Sequence, residues 1–282
     1  MRQFTLEELQ TRRDTSYHRR PELAVQGEEA ARAFVDKVGF CFLFPVPGVE
    51  LPSLWEAVNG GSRPIPHHHY DRALHWTWRW KDTLPSKKQV FYAKLLRQKP
   101  TLVSLKAFPY FYALSENYGE LEDYLDSYYD GKLSEEARRI YEVLLARGAC
   151  ATGVLRREAG LWGRENSTRF DRAIGELQRE MKITKCGISD ANRWKYSYVY
   201  EILARWLPDQ VREGVAMGSR QATEALLLCY LRTVVASTPT HIASLFAWKP
   251  ENTVSILEAL RRLEAVVEAS VNGVEGFLAL SS

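Results

Sequence analysis

The stretch from Ser134 to Pro208 limits the fold most. Ser134 is placed to cap a helix, and Glu135 and Glu136 put negative charge in its first turn, where the helix dipole favours it. Ala137, Ile140, Tyr141, Leu144 and Leu145 recur at helical spacing, and Gly148 ends the run. Thr152 is expected to cap a second, short helix ending near Gly160. Asn166 is expected to cap a third, with Phe170, Ile174, Leu177 and Met181 facing inward. The period then changes from 3.6 to two. Ile183 to Cys186 and Lys195 to Tyr200 read as strands joined by a turn at Ser189 to Asn192. Three helices followed by a hairpin is the order of a winged helix.

In that arrangement the third helix usually enters the DNA major groove and its outer face makes the contacts. Here that face offers Ser167, Thr168, Arg169, Arg172 and Arg179, and the hairpin tip offers Arg193, Trp194 and Lys195.

A second copy of the pattern closes the chain. A helix over residues 219–236 is followed by Thr238-Pro239, which opens a short helix reaching Phe246, and by a third helix from Pro250 to Leu263. The runs Val266 to Val271 and Gly276 to Leu280 flank Asn272-Gly273, a favoured hairpin dipeptide. The first copy carries 14 basic and 10 acidic residues, the second 5 and 6. The second is therefore expected to be structural, or to face a protein partner or another copy of itself.

The first half is read as follows. Thr5 and Glu8 form a capping box before a short helix. Arg12, Arg13, Arg19 and Arg20 are expected to lie in a solvated connector. Gly27 to Val38 reads as an amphipathic helix and Gly39 to Pro45 as a buried strand. Residues 72–112 hold nine basic residues against one acid, Asp82, with aromatics threaded through them. Basic charge supplies phosphate affinity and aromatic faces supply base stacking. Lys87, Lys88, Lys94, Arg97 and Lys99 are the DNA-contact candidates in this segment. Trp76, Trp78 and Trp80 alternate with Thr77 and Arg79, which reads as a half-buried strand with most of its rings in the core. Residues 116–133 turn acidic and read as a linking helix lying away from any DNA. The expected divisions are an N-terminal α/β unit at 1–115 that admits a divergent winged helix, an acidic linker at 116–133, a winged helix at 134–208 and a C-terminal one at 209–282. The fold class is α+β, mainly α, with tandem winged helix-turn-helix units and short β-hairpin wings.

Composition adds exclusions. Net charge is +3 and the sequence pI about 8.6, which permits nucleic-acid binding without demanding it. The four cysteines are scattered with no C-x-x-C, so the strong zinc signature is missing and buried reduced thiols are expected. His67-His68-His69 reads as a surface loop, since three adjacent histidines cannot all face one ion. No metal and no cofactor is expected. The N-terminus lacks a signal-peptide pattern, and no apolar run approaches the roughly 20 residues of a membrane span.

Two segments carry a family resemblance. Tyr200-Glu201-Ile202-Leu203-Ala204-Arg205-Trp206-Leu207-Pro208 follows directly on a wing, and Ser237 to Phe246 opens the second helix of the last unit. Both resemble parts of the AlkZ/YcaQ-type family, bacterial DNA glycosylases that unhook interstrand crosslinks and remove bulky alkylated purines. The resemblance implies tandem winged helices, a double-stranded DNA partner and a bacterial, nucleoid-associated cytoplasmic protein. It also implies a catalytic Gln-x-Gln or Gln-x-Asp early in the chain, and this sequence has neither. The corresponding place reads Gly39-Phe40-Cys41-Phe42, so the catalytic residues are unassigned. The expected function is duplex DNA binding without the standard glycosylase motif. The alternatives are a glycosylase using another carboxylate, among Asp36, Glu56, Asp71 and Asp82, and a winged-helix transcriptional regulator.

Overall fold

The computed structural model describes residues 2–67, 70–190 and 196–279. Strand β1 (Arg2–Phe4) and helix α1 (Leu6–Ser16) lead into a first unit, made of α2 (Glu28–Val38), β2 (Phe40–Phe42), α3 (Leu54–Asn59), α4 (Arg72–Ser86), β3 (Val90–Lys94) and β4 (Pro100–Ser104). Connecting helices α5 (Phe108–Ala113) and α6 (Asp123–Tyr129) follow. The second unit is α7 (Glu135–Arg147), β5 (Cys150–Ala151), α8 (Thr152–Glu158), α9 (Ser167–Arg179), β6 (Ile183–Ser189) and β7 (Ser197–Ile202). Helices α10 (Leu203–Trp206) and α11 (Pro208–Val215) connect it to a third unit: α12 (Ser219–Val234), α13 (Pro239–Phe246), α14 (Pro250–Arg262), β8 (Val266–Val271) and β9 (Val274–Ala279).

The same plan recurs three times. In the first two units a short strand after the first helix pairs with the last strand of the hairpin, giving the orders β2-β4-β3 and β5-β7-β6. In the third, Ser237 forms a single antiparallel bridge to Phe277 on β9 in the equivalent place. There β1 adds in parallel beside β8, pairing Gln3 with Ser270, so the first residues of the chain complete the last sheet. The chain is thus α+β and mainly α, with three winged-helix-like units.

Local chemistry explains where the helices start. Ser53, Asp71, Ser134 and Thr238 each accept a hydrogen bond from the backbone N–H three residues on, and Thr5 and Glu8 close the expected capping box. Two expected caps act otherwise. Thr152 is the first helical residue and its hydroxyl donates to Tyr198 O, while the Asn166 amide donates back to Trp162 O.

The tryptophan run corrects the sequence reading. Residues 72–86 are helix α4, with no strand at Trp76 to Trp80. Spacing of two and four in sequence satisfies both periods at Trp76 and Trp80, and those rings stack at 5.4 Å, one helical turn apart. Leu74, Thr77, Trp80, Lys81 and Leu84 set the true period by being the buried face.

The stretch expected to be a solvated connector is neither wholly a connector nor wholly solvated, since Arg12 and Arg13 belong to α1. Arg13 donates through Nε and Nη2 to Val234 O and Ala236 O and pairs with Glu50 at 2.8 Å, and the Tyr17 ring is fully buried. Tyr17 joins Phe40, Phe91, Phe108, Tyr230 and Leu257 in one apolar core shared by the first and third units and the connecting helices. The second unit keeps its own core around Ile140, Leu144, Phe170 and Leu177.

Candidate nucleic-acid interface

Helix α9 turns Phe170, Ala173, Ile174 and Leu177 inward, so Thr168, Arg169, Arg172 and Arg179 are on its outer side, with Ser167 half-buried. None of the three arginines is a bare charge. Arg169 pairs with Glu136 on α7, Arg172 Nε with Glu176 Oε1 at 3.0 Å, and Arg179 Nε with Glu180 Oε1 at 3.3 Å. Glu176 is buried because its other oxygen accepts from the N–H and hydroxyl of Ser134, at 2.9 and 2.6 Å. One carboxylate therefore fixes α9 to the cap of α7 and holds Arg172, whose side chain remains 79% exposed.

The wing of the first unit comes to this helix. Lys94 ends β3, and the turn beyond it puts Arg97 and Gln98 in the left-handed region, with φ of 52° and 56°. Lys94 and Gln98 face Arg172, Gly175 and Arg179 across a groove of about 340 Å³. Arg97 points elsewhere and donates to Ser244 O on α13 at 3.1 Å. Lys99 is exposed beside it. Lys87 and Lys88 lie beyond the opposite end of β3. Lys87 pairs with Glu28 at 2.5 Å, and the Lys88 ammonium sits 4.4 Å from the Trp206 ring. The wing-tip candidates Arg193, Trp194 and Lys195 lie outside the described residues.

The relation is reciprocal, because the wing of the second unit packs on α4, the third helix of the first. Here the joint is closed. Lys81, 1% exposed, spends its three ammonium protons on Asp82 Oδ1, Tyr196 OH and Tyr198 OH at 2.6, 2.8 and 2.9 Å. Tyr196 in turn donates to Asp82 Oδ2 at 2.7 Å. The Lys81 ammonium lies 5.0 Å from the Tyr198 ring and 5.2 Å from that of Trp78, and the Lys185 ammonium sits 3.6 Å from the Tyr198 ring centroid. Burial pulls the Lys185 ammonium below the usual lysine range. Burial alone would raise the Tyr198 phenol, but the Lys185 and Lys81 charges outweigh it and lower it.

This cluster escapes a sequence reading. Its available signal is period two in the wing, which places Tyr196, Tyr198 and Tyr200 on one side, together with the helical period that makes Lys81 a buried position. Gln98 carries no signal at all, since only the fold brings it to α9.

The strand expected to hold a catalytic glutamine pair is sealed. Phe40, Cys41 and Phe42 are wholly buried, and Phe40 packs edge-on against Phe111 at 5.3 Å. The four carboxylates weighed as substitutes are each held by a cation: Asp36 by Arg32, Glu56 by Arg19, Asp71 by Arg63 and Asp82 by Lys81. Among the described residues no group of three histidine, cysteine or carboxylate side chains is gathered as a metal site, and no helix is long and apolar enough to cross a membrane.

Residues 25–247 match the family described as AlkZ related. The chain belongs to the AlkZ-related family. A search of curated proteins finds no match. Among solved structures, the Streptomyces sahachiroi DNA glycosylase AlkZ superposes with a TM-score of 0.58 at 12% identity, covering 95% of this chain and 69% of that one. This AlkZ-related protein therefore shares the AlkZ fold, with an apolar strand where the resemblance places the catalytic motif.

Proposed function

We propose that this AlkZ-related protein binds duplex DNA through the groove between α9 and the first unit's wing, and serves DNA repair without the Gln-x-Gln or Gln-x-Asp chemistry. The observation that carries this reading is the meeting of Lys94 and Gln98 with Arg172 and Arg179, more than seventy positions apart in sequence, across one exposed groove. Lysine and arginine on facing walls suit the phosphates of a single strand, and phosphate contacts position a duplex without reading its sequence. The fold of a DNA glycosylase supports the same ligand class, and the sealed apolar strand supports binding without base release. Because α9 shares its outer side with a wing, contacts along the groove rim fit this surface better than deep insertion of α9 into the major groove.

The test is a titration of plain and alkylated duplexes at 50 and 200 mM salt, with abasic-site formation followed on the same samples. Binding is expected to weaken by about 10-fold or more between the two salts if three phosphates are engaged. The triple variant K94Q/R172Q/R179Q is expected to lower the salt slope by about 3. An unchanged slope removes α9 from the interface. Base release by the wild-type protein would overturn the non-catalytic reading and reopen the choice among Asp36, Glu56, Asp71 and Asp82.

A further inference from the structure

A second cleft lies at the other end of the first unit's sheet. Register places Ser104 opposite Val90 and Pro100 opposite Lys94, so a cleft at Ser104 is separated from the Lys94 groove by the length of the strand, roughly 13 Å. It occupies about 380 Å³ between the end of α2, the turn from β4 to α5, and α12. First and third units meet here.

Its floor is close and polar. Gly39 has φ of 76°, and a Cβ there would stand 2.2 Å from Cys229 Sγ, so only glycine lets α12 approach. Thr233 donates to Val38 O at 3.0 Å, and Ser104 Oγ accepts from Ala107 N, leaving the floor ordered by its own hydrogen bonds. Its rim is cationic. Lys37, Lys106 and Arg232 all line the opening and all are exposed. Among the described residues Lys106 and Arg232 have no ion-pair partner, and Lys37 approaches only the His18 ring, at 3.4 Å. The single lining carboxylate, Asp36, is 3.5 Å from Arg32. Tyr110 presents a half-buried ring on one wall and makes no hydrogen bond through its hydroxyl to the described residues, with Leu228 and Ala225 as apolar neighbours.

Three exposed cations on one rim, with one already-held carboxylate, give the opening a positive potential that favours an anion. The arginine fork and two ammonium groups suit a phosphate, and the Tyr110–Leu228 wall suits a flat ring. The volume is that of a small-ligand pocket, larger than a bare phosphate needs. The geometry points to a binding site for a phosphate ester of mononucleotide size, spanning the first and third units and separate from the DNA groove.

The experiment uses the full chain and three probes: AMP, adenosine and inorganic phosphate, each titrated by calorimetry and by thermal shift. AMP binds, adenosine does not, and phosphate binds at least tenfold more weakly than AMP. The double variant K106Q/R232Q keeps the unliganded melting temperature, because both side chains are exposed, and loses AMP affinity by tenfold or more. K94Q, in the other groove, binds AMP as the wild type does. Absence of AMP binding, equal binding by the double variant, or equal loss in K94Q overturns the site. Phosphate binding as tightly as AMP overturns the nucleotide assignment. Duplex titration of K106Q/R232Q separates this site from the proposed DNA function: its failure leaves the groove between α9 and the first wing untouched.

Discussion

The two joints between the first and second units use the same architecture and opposite chemistry. At one, the wing of the second unit meets α4 through a buried lysine whose three protons are all used and whose faces are covered by rings. At the other, the wing of the first unit meets α9 across an open groove lined by Lys94, Arg172 and Arg179. A cation that is desolvated must be fully partnered, and it then fixes geometry but is lost to outside ligands. A cation left at a wet rim does little for stability and stays available to phosphate. The closed joint holds the units in register so that the open one can keep its charges exposed.

The largest test breaks the closed joint. Lys81→Ala leaves the partly buried Asp82 beside Tyr196 without its ammonium and strips the Tyr196 and Tyr198 hydroxyls of that donor, and is expected to destabilise the protein by about 3 kcal/mol in denaturant unfolding. The amides of β6 and β7 should lose hydrogen-exchange protection more than those of α7. A loss below about 1 kcal/mol would show that the joint does not carry the register.

A second test sharpens what places α9. Lys182, just beyond α9, is nearly fully buried and donates to Asn117 Oδ1 and Asp123 O at 2.5 and 2.8 Å. Burial, partly offset by Asp123, lowers its pKa from 10.5 to about 8. Between these values the unfolded chain binds more protons than the folded one, so this group's contribution to stability rises with pH across that window. Relative to Lys182→Met, the wild type should gain about 3 kcal/mol from pH 7 to pH 10.5, with almost no relative change below pH 7. A flat difference would place Lys182 in water.

Glu176→Ala should move stability and binding in opposite directions. It removes the acceptor of the Ser134 N–H and hydroxyl, at a cost of about 1–2 kcal/mol, and frees Arg172, so duplex affinity at low salt should rise. A fall in both would mean that Arg172 needs Glu176 to be aimed correctly. The smallest effect on folding is expected for Arg172→Gln, within about 0.5 kcal/mol of wild type, while the salt slope of binding drops by about 1.

The sequence by itself determined what is local. Ser134, Thr238 and the Thr5–Glu8 box start their helices, Asn272-Gly273 turns the last hairpin, and the inward positions of α9 follow from a 3.6-residue period. Each depends on side chains within a few residues of one another, so spacing is enough to read it. The alternating tryptophans were ambiguous because Trp76 and Trp80 fit a strand and a helix alike, and burial of Lys81 against a distant wing decided between them. Tertiary structure also decided which basic residues remain available. Lys87, Lys88 and Arg97 look equivalent to Lys94 in sequence, yet Glu28, the Trp206 ring and Ser244 O engage them away from the groove. The return of β1 to the last sheet and the arrival of Lys94 at α9 were likewise invisible. Composition and periodicity report how a segment folds, whereas the partners of a charge come from chain that is remote in sequence and close only after folding.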